Sequence, residues 1–191
     1  MKTIKKTTAL IAITLLMVSF KSSEGLKKEV NIEKSNVTWK GYKVAGSHTG
    51  TITIKSGNLV FNDDNLTGGN FVIDMTTISV TDLEGEYKNK LEGHLKSDDF
   101  FGVAKFPTAA LVFKNIKANG KNSYDVTGNI TIKGKTESID FDLSVYGNKA
   151  TASLKIDRSK FDVRYGSTSF FDGLKDKAIY DEFDIVVDLE F

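Results

Sequence analysis

The feature that most constrains this chain is a period-two alternation of apolar and polar residues, repeated from Val30 to the end. Tyr124, Val126, Gly128, Ile130 and Ile132 alternate with polar neighbours, and so do Ile139, Phe141, Leu143 and Val145. Ile52 and Ile54, then Phe71, Ile73 and Met75, obey the same rule. Ala150, Ala152, Leu154 and Ile156 follow it, as do Phe183, Ile185, Val187, Leu189 and Phe191. Successive strand side chains point to opposite faces, so each segment predicts a β-strand with one apolar face. Short turn signals separate the segments: Ser56-Gly57-Asn58, Thr67-Gly68-Gly69-Asn70, Asn119-Gly120-Lys121-Asn122 and Tyr146-Gly147-Asn148. Gaps this short join antiparallel neighbours, because a parallel crossover needs a dozen or more residues. The single proline, Pro107, precedes a strand expected from Thr108 to Lys117, where it is tolerated. About eight to ten strands are expected on this pattern.

Two segments depart from the pattern. Leu83, Tyr87, Leu91 and Leu95 recur every four residues, which predicts an amphipathic helix over residues 83–96, capped by Thr81 or Asp82. Residues 157–177 mix charges with Phe161, Tyr165, Phe170 and Phe171 and are expected to be irregular, with a short helical turn. One-faced strands must bury that face, either between two sheets or within one sheet closed on itself. Long, meander-like alternation favours closure, which also removes exposed edges. The expected fold is all-β with a minor helix: a closed antiparallel barrel of about eight strands over residues 30–191, large enough for a packed core or one small ligand.

The N-terminus has the form of an export signal. Lys2, Lys5 and Lys6 precede an apolar run from Ala9 to Val18 that is too short to span a bilayer comfortably. Residues 1–22 are therefore read as a signal peptide with a poorly marked cleavage site near Ser19, Ser22 or Ser23, an uncleaved anchor being the alternative. A periplasmic or secreted location and no stable membrane span after cleavage follow. Removing residues 1–20 deletes three lysines and no acid and leaves 23 basic against 25 acidic residues, no footprint for nucleic acid. The chain has no cysteine, which excludes disulfides, thiolate catalysis and cysteine metal sites. Nothing in the pattern excludes a homodimer.

Three stretches are more specific than generic β patterning: Gly46-Ser47-His48-Thr49-Gly50-Thr51-Ile52, Gly93-His94-Leu95-Lys96-Ser97-Asp98-Asp99-Phe100-Phe101, and residues 157–167, Asp-Arg-Ser-Lys-Phe-Asp-Val-Arg-Tyr-Gly-Ser. Together with residues 69–75, Lys105-Phe106-Pro107-Thr108-Ala109 and residues 126–134, they occur in an order that resembles the YceI-like family of lipid- and polyisoprenoid-binding proteins. The resemblance implies a lipocalin-like barrel with a long apolar cavity for an isoprenoid or another amphiphile. It also agrees with export. The Gly-Ser-His-Thr-Gly strand start departs from other branches of the family around that histidine.

The inward-facing set Phe71, Ile73, Phe113, Ile130, Ile132, Phe141, Leu143 and Ile185 is the candidate ligand wall. On physical grounds alone these side chains pack against one another as a solid core, the commoner fate of apolar strand faces. The resemblance reverses that preference. His94, Lys96, Arg158 and Arg164 are candidates for a polar head group, since guanidinium donors match phosphate or carboxylate bidentately. The alternative for both arginines is a structural pairing with Asp157, Asp162, Asp172 or Asp176. His48 and His94, the only histidines, lack metal-ligand spacing, and no metal or cofactor is expected. No G-x-S-x-G elbow, H-E-x-x-H, P-loop or dinucleotide fingerprint is present, so no catalytic residues are assigned. Two functions remain: a carrier or sequestering protein for a polyisoprenoid or similar amphiphilic lipid, or an envelope protein with a filled barrel that binds a partner.

Overall fold

Strands form where the alternation runs unbroken. In β6 (Ser123–Ile132) every second residue, from Tyr124 to Ile132, is buried and faces inward, and every intervening residue faces out. A computed structural model describes residues 25–191; the expected signal peptide lies outside the described residues. The other strands are β1 (Leu26–Glu29), β2 (Asn36–Lys43), β3 (Gly46–Asn62), β4 (Asn65–Val80), β5 (Thr108–Ala118), β7 (Lys135–Tyr146), β8 (Lys149–Asp157) and β9 (Ile179–Glu190). Among the described residues one α-helix, α1 (Gly85–Lys96), lies between β4 and β5.

Strands β2 to β9 form an eight-stranded antiparallel ring. Each pairs with its neighbours in sequence, and β9 closes the ring by pairing with β2. β1 lies on the far half of β3, pairing Leu26–Glu29 with Asn58–Phe61, where β2 has already left that edge. The tight β6–β7 connection rests on Lys133 (φ 51°) and Gly134 (φ 76°), the two left-handed residues of a primed hairpin turn. Two seams are short: β4 and β5 share five residue pairs, and so do β7 and β8. The remainder of β7 packs against the 3-10 turn Arg158–Phe161.

The two ends of the barrel differ. At one end Phe61 stacks on Phe191 with ring centroids 5.7 Å apart, Lys28 covers both rings, and Leu59, Leu66, Tyr124 and Val126 are buried beneath them. This end is a solid core. The other end carries α1, the turns of residues 97–107 and the irregular segment of residues 158–178, which holds the 3-10 turns Arg158–Phe161 and Lys175–Lys177.

The helix differs from its sequence expectation in detail. It begins at Gly85, with Glu84 as an N-cap that makes no side-chain bond. Thr81 and Asp82 do not cap it because they extend the β3–β4 edge. The Thr81 amide donates to Thr49 O, and Asp82 accepts from the Thr49 amide and pairs with His48. Of the four-residue stripe only Leu95 is buried, Leu83 and Leu91 are half-buried, and Tyr87 is 76% exposed. α1 covers the barrel with its C-terminal half.

Candidate ligand cavity

The inner faces of β2 to β9 do not meet throughout. Between the solid end and the α1 end lies a cavity of ≈ 190 Å³. All eight residues of the expected wall border it: Phe71, Ile73, Phe113, Ile130, Ile132, Phe141, Leu143 and Ile185. Phe71, Phe113 and Phe141 form a continuous string, with successive centroids 5.6 and 5.5 Å apart. Two of these rings sit over glycines: a Cβ on Gly57 would lie 2.6 Å from Phe71, and one on Gly69 would lie 2.5 Å from Phe113. Leu95, Phe100 and Phe101 close the α1 end from outside the sheet.

The wall is interrupted where β9 swings away from β2. Gly41 pairs with Phe183 and Lys43 with Ile179, so three residues of β9 lie opposite Tyr42 alone. The cavity lining extends through this bulge to Gly41, Tyr42, Ile179 and Tyr180, and Tyr180 is 54% exposed. The Tyr42 hydroxyl donates to Asp184, which also accepts from Lys155 at 3.0 Å. The bond from Tyr42, then that from Lys155, holds the Asp184 carboxyl below its ordinary range.

Among the described residues Arg158 is the one charged residue bordering the cavity, and it is 2% exposed. Its guanidinium is already committed. Nε donates to Tyr180 O at 3.1 Å, Nη1 to Val163 O at 2.7 Å and Nη2 to Ile179 O at 2.9 Å. Asp181 Oδ1 lies 3.3 Å from Nη2 as an ion-pair contact without a directed hydrogen bond. Burial pushes the Arg158 guanidinium below the usual arginine range, and Asp181 and Asp157 counteract the shift. Arg158 thus joins the end of β8 to the start of β9. The pairing expectation is met in kind, but its partner is Asp181.

The other head-group candidates are not gathered at the cavity. Arg164 is exposed, pairs with Asp162 and lies 5.0 Å from Phe170. It borders a separate surface cleft between Asp98–Asp99, Lys133 and residues 164–177. His94 packs edge-on against Tyr165 (4.3 Å) and Phe100 (5.5 Å), outside the lining. Lys96 is half-buried on the last turn of α1 and also lies outside it. These three lie outside the lining that includes Arg158, and Phe100 packs against both His94 (5.5 Å) and Arg158 (5.4 Å). His48 pairs with Asp82 at 3.0 Å, in surroundings separate from those of His94. Among the described residues no group of three His, Asp or Glu side chains is placed to hold a metal.

The expected wall omitted β3 (Ile52, Ile54), β8 (Ala152, Leu154, Ile156) and β2. Val37, Trp39 and Gly41 all border the cavity, and their spacing of two is the same signal that identified the other strands. A glycine on an inward face gives little hydropathy signal, so this face of β2 reads as short.

Residues 29–191 match the model of the YceI-like domain. The chain belongs to the YceI-like family. Among similar YceI-like and related chains, a UPF0312 protein of Pseudomonas putida (strain W619) is 28% identical over 149 residues, which is 75% of this chain and 74% of the relative. A UPF0312 protein of Pseudomonas aeruginosa (strain LESB58) is 33% identical over 91 residues, 48% of this chain and 45% of the relative. Among solved structures, Burkholderia cenocepacia BcnA superposes with a TM-score of 0.67 at 25% identity, covering 84% of this chain and 98% of BcnA. A domain from Saccharophagus degradans, described as polyisoprenoid binding and implicated in plant cell wall breakdown, superposes with a TM-score of 0.60 at 14% identity. That match covers 85% of this chain and 97% of the domain, and it shows a shared fold.

Proposed function

We propose that this YceI-like protein is an exported carrier or sequestering protein for a polyisoprenoid or similar amphiphilic lipid. The observation that carries the reading is the apolar cavity, bordered by aromatic and aliphatic side chains and opening toward the β2–β9 bulge. The polyisoprenoid description of the Saccharophagus domain supports the lipid class, and the basic-then-apolar leader supports export to the periplasm or beyond. The protein works by burial, without covalent chemistry. Each buried methylene stabilises the complex by roughly 0.8 kcal/mol, and ordering the chain offsets part of that gain. An apolar space of about 150 Å³ holds one benzene ring. A cavity of ≈ 190 Å³ therefore seats a short segment as it stands, and a longer chain displaces half-buried Phe113 and its neighbours.

Native mass spectrometry of protein purified gently from its own envelope, followed by lipid extraction, tests the reading. A prenyl-lipid adduct is expected. Only bare protein, both from the envelope and after reconstitution with prenyl lipids, would sink the proposal. Fractionation of the producing cells tests the location: mature protein in the soluble extracytoplasmic fraction, lacking about 22 residues, is expected.

A further inference from the structure

The exposed apolar side chains are unevenly spread. Of the ten large ones among the described residues, five belong to two segments. Tyr165, Phe170, Phe171 and Tyr180 lie in the irregular segment and its continuation into β9, and Val44 lies in the β2–β3 turn. Hydrogen bonds bring the two segments together. The Val44 amide donates to Ala178 O at 3.2 Å, and the Ile179 amide donates to Gly166 O at 2.8 Å. Tyr165 and Phe171 border the same surface cleft, and Arg164 lies 5.0 Å from the Phe170 ring. Single exposed apolar side chains are ordinary, whereas a contiguous group marks a surface that meets a partner or a membrane.

The two phenylalanines stand on a built turn. Their amides donate to Ser167 O at 3.2 and 3.0 Å, and Ser167 is fully buried. Ser169 Oγ donates to Asp181 Oδ2 at 2.6 Å, which fastens the turn to the start of β9 while both rings stay exposed. The group adjoins the cavity mouth, because Tyr180 is exposed and also belongs to the lining, beside Gly41, Tyr42 and Ile179. A lipid that crossed open water between a bilayer and this mouth would expose its whole apolar chain, so direct transfer requires the mouth to sit against the bilayer. Phenylalanine and tyrosine suit the headgroup level, where one end of the ring is apolar and the other wet. Lys43, Lys175 and Lys177 flank these residues, exposed and without an acidic partner among the described residues, and lysine stems reach past an apolar surface to water. Asp172 and Asp176 nearly balance their charge, and Arg164 is paired with Asp162.

We infer that Val44, Tyr165, Phe170, Phe171 and Tyr180 form a docking surface that seats the cavity mouth on a phospholipid bilayer. The inference rests on the carrier reading, since the cavity supplies the reason to dock, and it deepens that reading: the lipid is exchanged directly with a membrane. With the surrounding charges nearly balanced, docking comes from burial of the rings and holds on a neutral phosphatidylcholine surface.

The chain has no cysteine, so one introduced cysteine takes one label. A nitrobenzoxadiazole dye is placed at Phe171→Cys, on the docking surface, or at Asp64→Cys, in the β3–β4 turn of the solid end, and each protein is mixed with phosphatidylcholine vesicles. The dye at 171 is expected to shift to the blue and the dye at 64 is not, and the shift should survive high salt. Phe170→Ser with Phe171→Ser should weaken vesicle binding at least about tenfold and slow uptake of farnesol from those vesicles, while leaving the affinity for farnesol free in solution unchanged. A silent dye at 171, equal shifts at both positions, or a double variant that binds vesicles like the unaltered protein overturns the docking surface and leaves the carrier reading standing. A shift at 171 that follows protein concentration without vesicles assigns the group to a second copy of the chain and overturns it as well. Failure of the unaltered protein to bind farnesol or any longer prenyl alcohol overturns the carrier reading, and the transfer role with it. The dye is read on singly substituted protein, so a double variant that fails to fold does not rescue the inference.

Discussion

Single residues hold the α1 end of the barrel together, Arg158 among them. Its three carbonyl acceptors belong to Val163, Ile179 and Tyr180, which sit where the irregular segment re-enters the sheet. Arg158→Leu would leave those carbonyls and Asp181 buried without their cation. Breaking a buried pair from one side typically costs 3–5 kcal/mol, so a loss of about 3 kcal/mol is expected in urea unfolding. A loss under about 1 kcal/mol would show that water replaces the guanidinium freely. Arg164→Leu, at an exposed pair, should change stability by about 0.5 kcal/mol or less. Gly50 acts by its absence of a side chain. A Cβ there would fall 1.8 Å from Ser79 O and against the Trp39 ring. Gly50→Ala should destabilise by about 2 kcal/mol through overpacking and shift the Trp39 fluorescence, whereas Gly93→Ala on the open face of α1, where a Cβ meets nothing, should be neutral or mildly stabilising.

Among the elements, α1 is held by a carboxylate as well as by its apolar stripe. Glu92 Oε1 accepts from Ser79 Oγ and from the Val80 amide, both at 2.9 Å, which fastens the helix to the end of β4. The Val80 amide foremost, with Ser79, Lys88 and Lys96, holds the Glu92 carboxyl below its ordinary range. A carboxylate depressed in the folded state adds stability above its unfolded pKa of about 4.3, and that stability is lost as pH falls through the lower folded value. Glu92→Gln should therefore be less stable than the unaltered protein by about 1 kcal/mol at pH 7, with the gap closing below about pH 4 in chemical unfolding. A gap that persists undiminished at pH 3 would mean that the charge contributes nothing. This tether was invisible in the sequence, because Glu92 and Ser79 pair only after β4 and α1 have folded against each other. The strands themselves were legible wherever alternation is regular, as in β6 and β8. Bulges were not. β3 buries Ile52 and Ile54 and then switches to Leu59 and Phe61, with a register shift between Ile54 and Ser56. β4 switches from Phe71 and Met75 to Ile78 and Val80, where the Asp74 side chain captures Thr76 and its carbonyl accepts from Thr77. Such local side-chain bonds re-aim a strand without altering its hydropathy. The same limit applied to the candidate site. The apolar faces bordering the cavity were picked out on β4 to β7 and β9 and passed over on β2, β3 and β8, whereas the burial of Arg158 and the exposure of Arg164 depend on a segment with no period.

At the scale of the whole molecule, the central question is whether the barrel interior is reserved space or loosely filled core. The two ends answer differently: aromatic stacking and aliphatic packing fill the β1 end, while ≈ 190 Å³ stays unfilled toward α1. A cavity forfeits dispersion contacts along its lining, so keeping it open costs the unliganded fold stability. A carrier that maintains such a space should consequently exchange binding for stability when the space is filled. Ala152, small, buried and on the cavity wall, provides the site for this test. In a reserved cavity Ala152→Leu should stabilise the unliganded protein by about 1 kcal/mol, as cavity-filling substitutions do, and reduce uptake of a prenyl lipid several-fold. In a filled core the same three added carbons would overpack the interior and destabilise it by about 1–3 kcal/mol. Thermal unfolding of the two proteins, with and without a prenyl lipid, reads both signs at once: the unaltered protein should melt lower alone and gain more from the lipid than Ala152→Leu does.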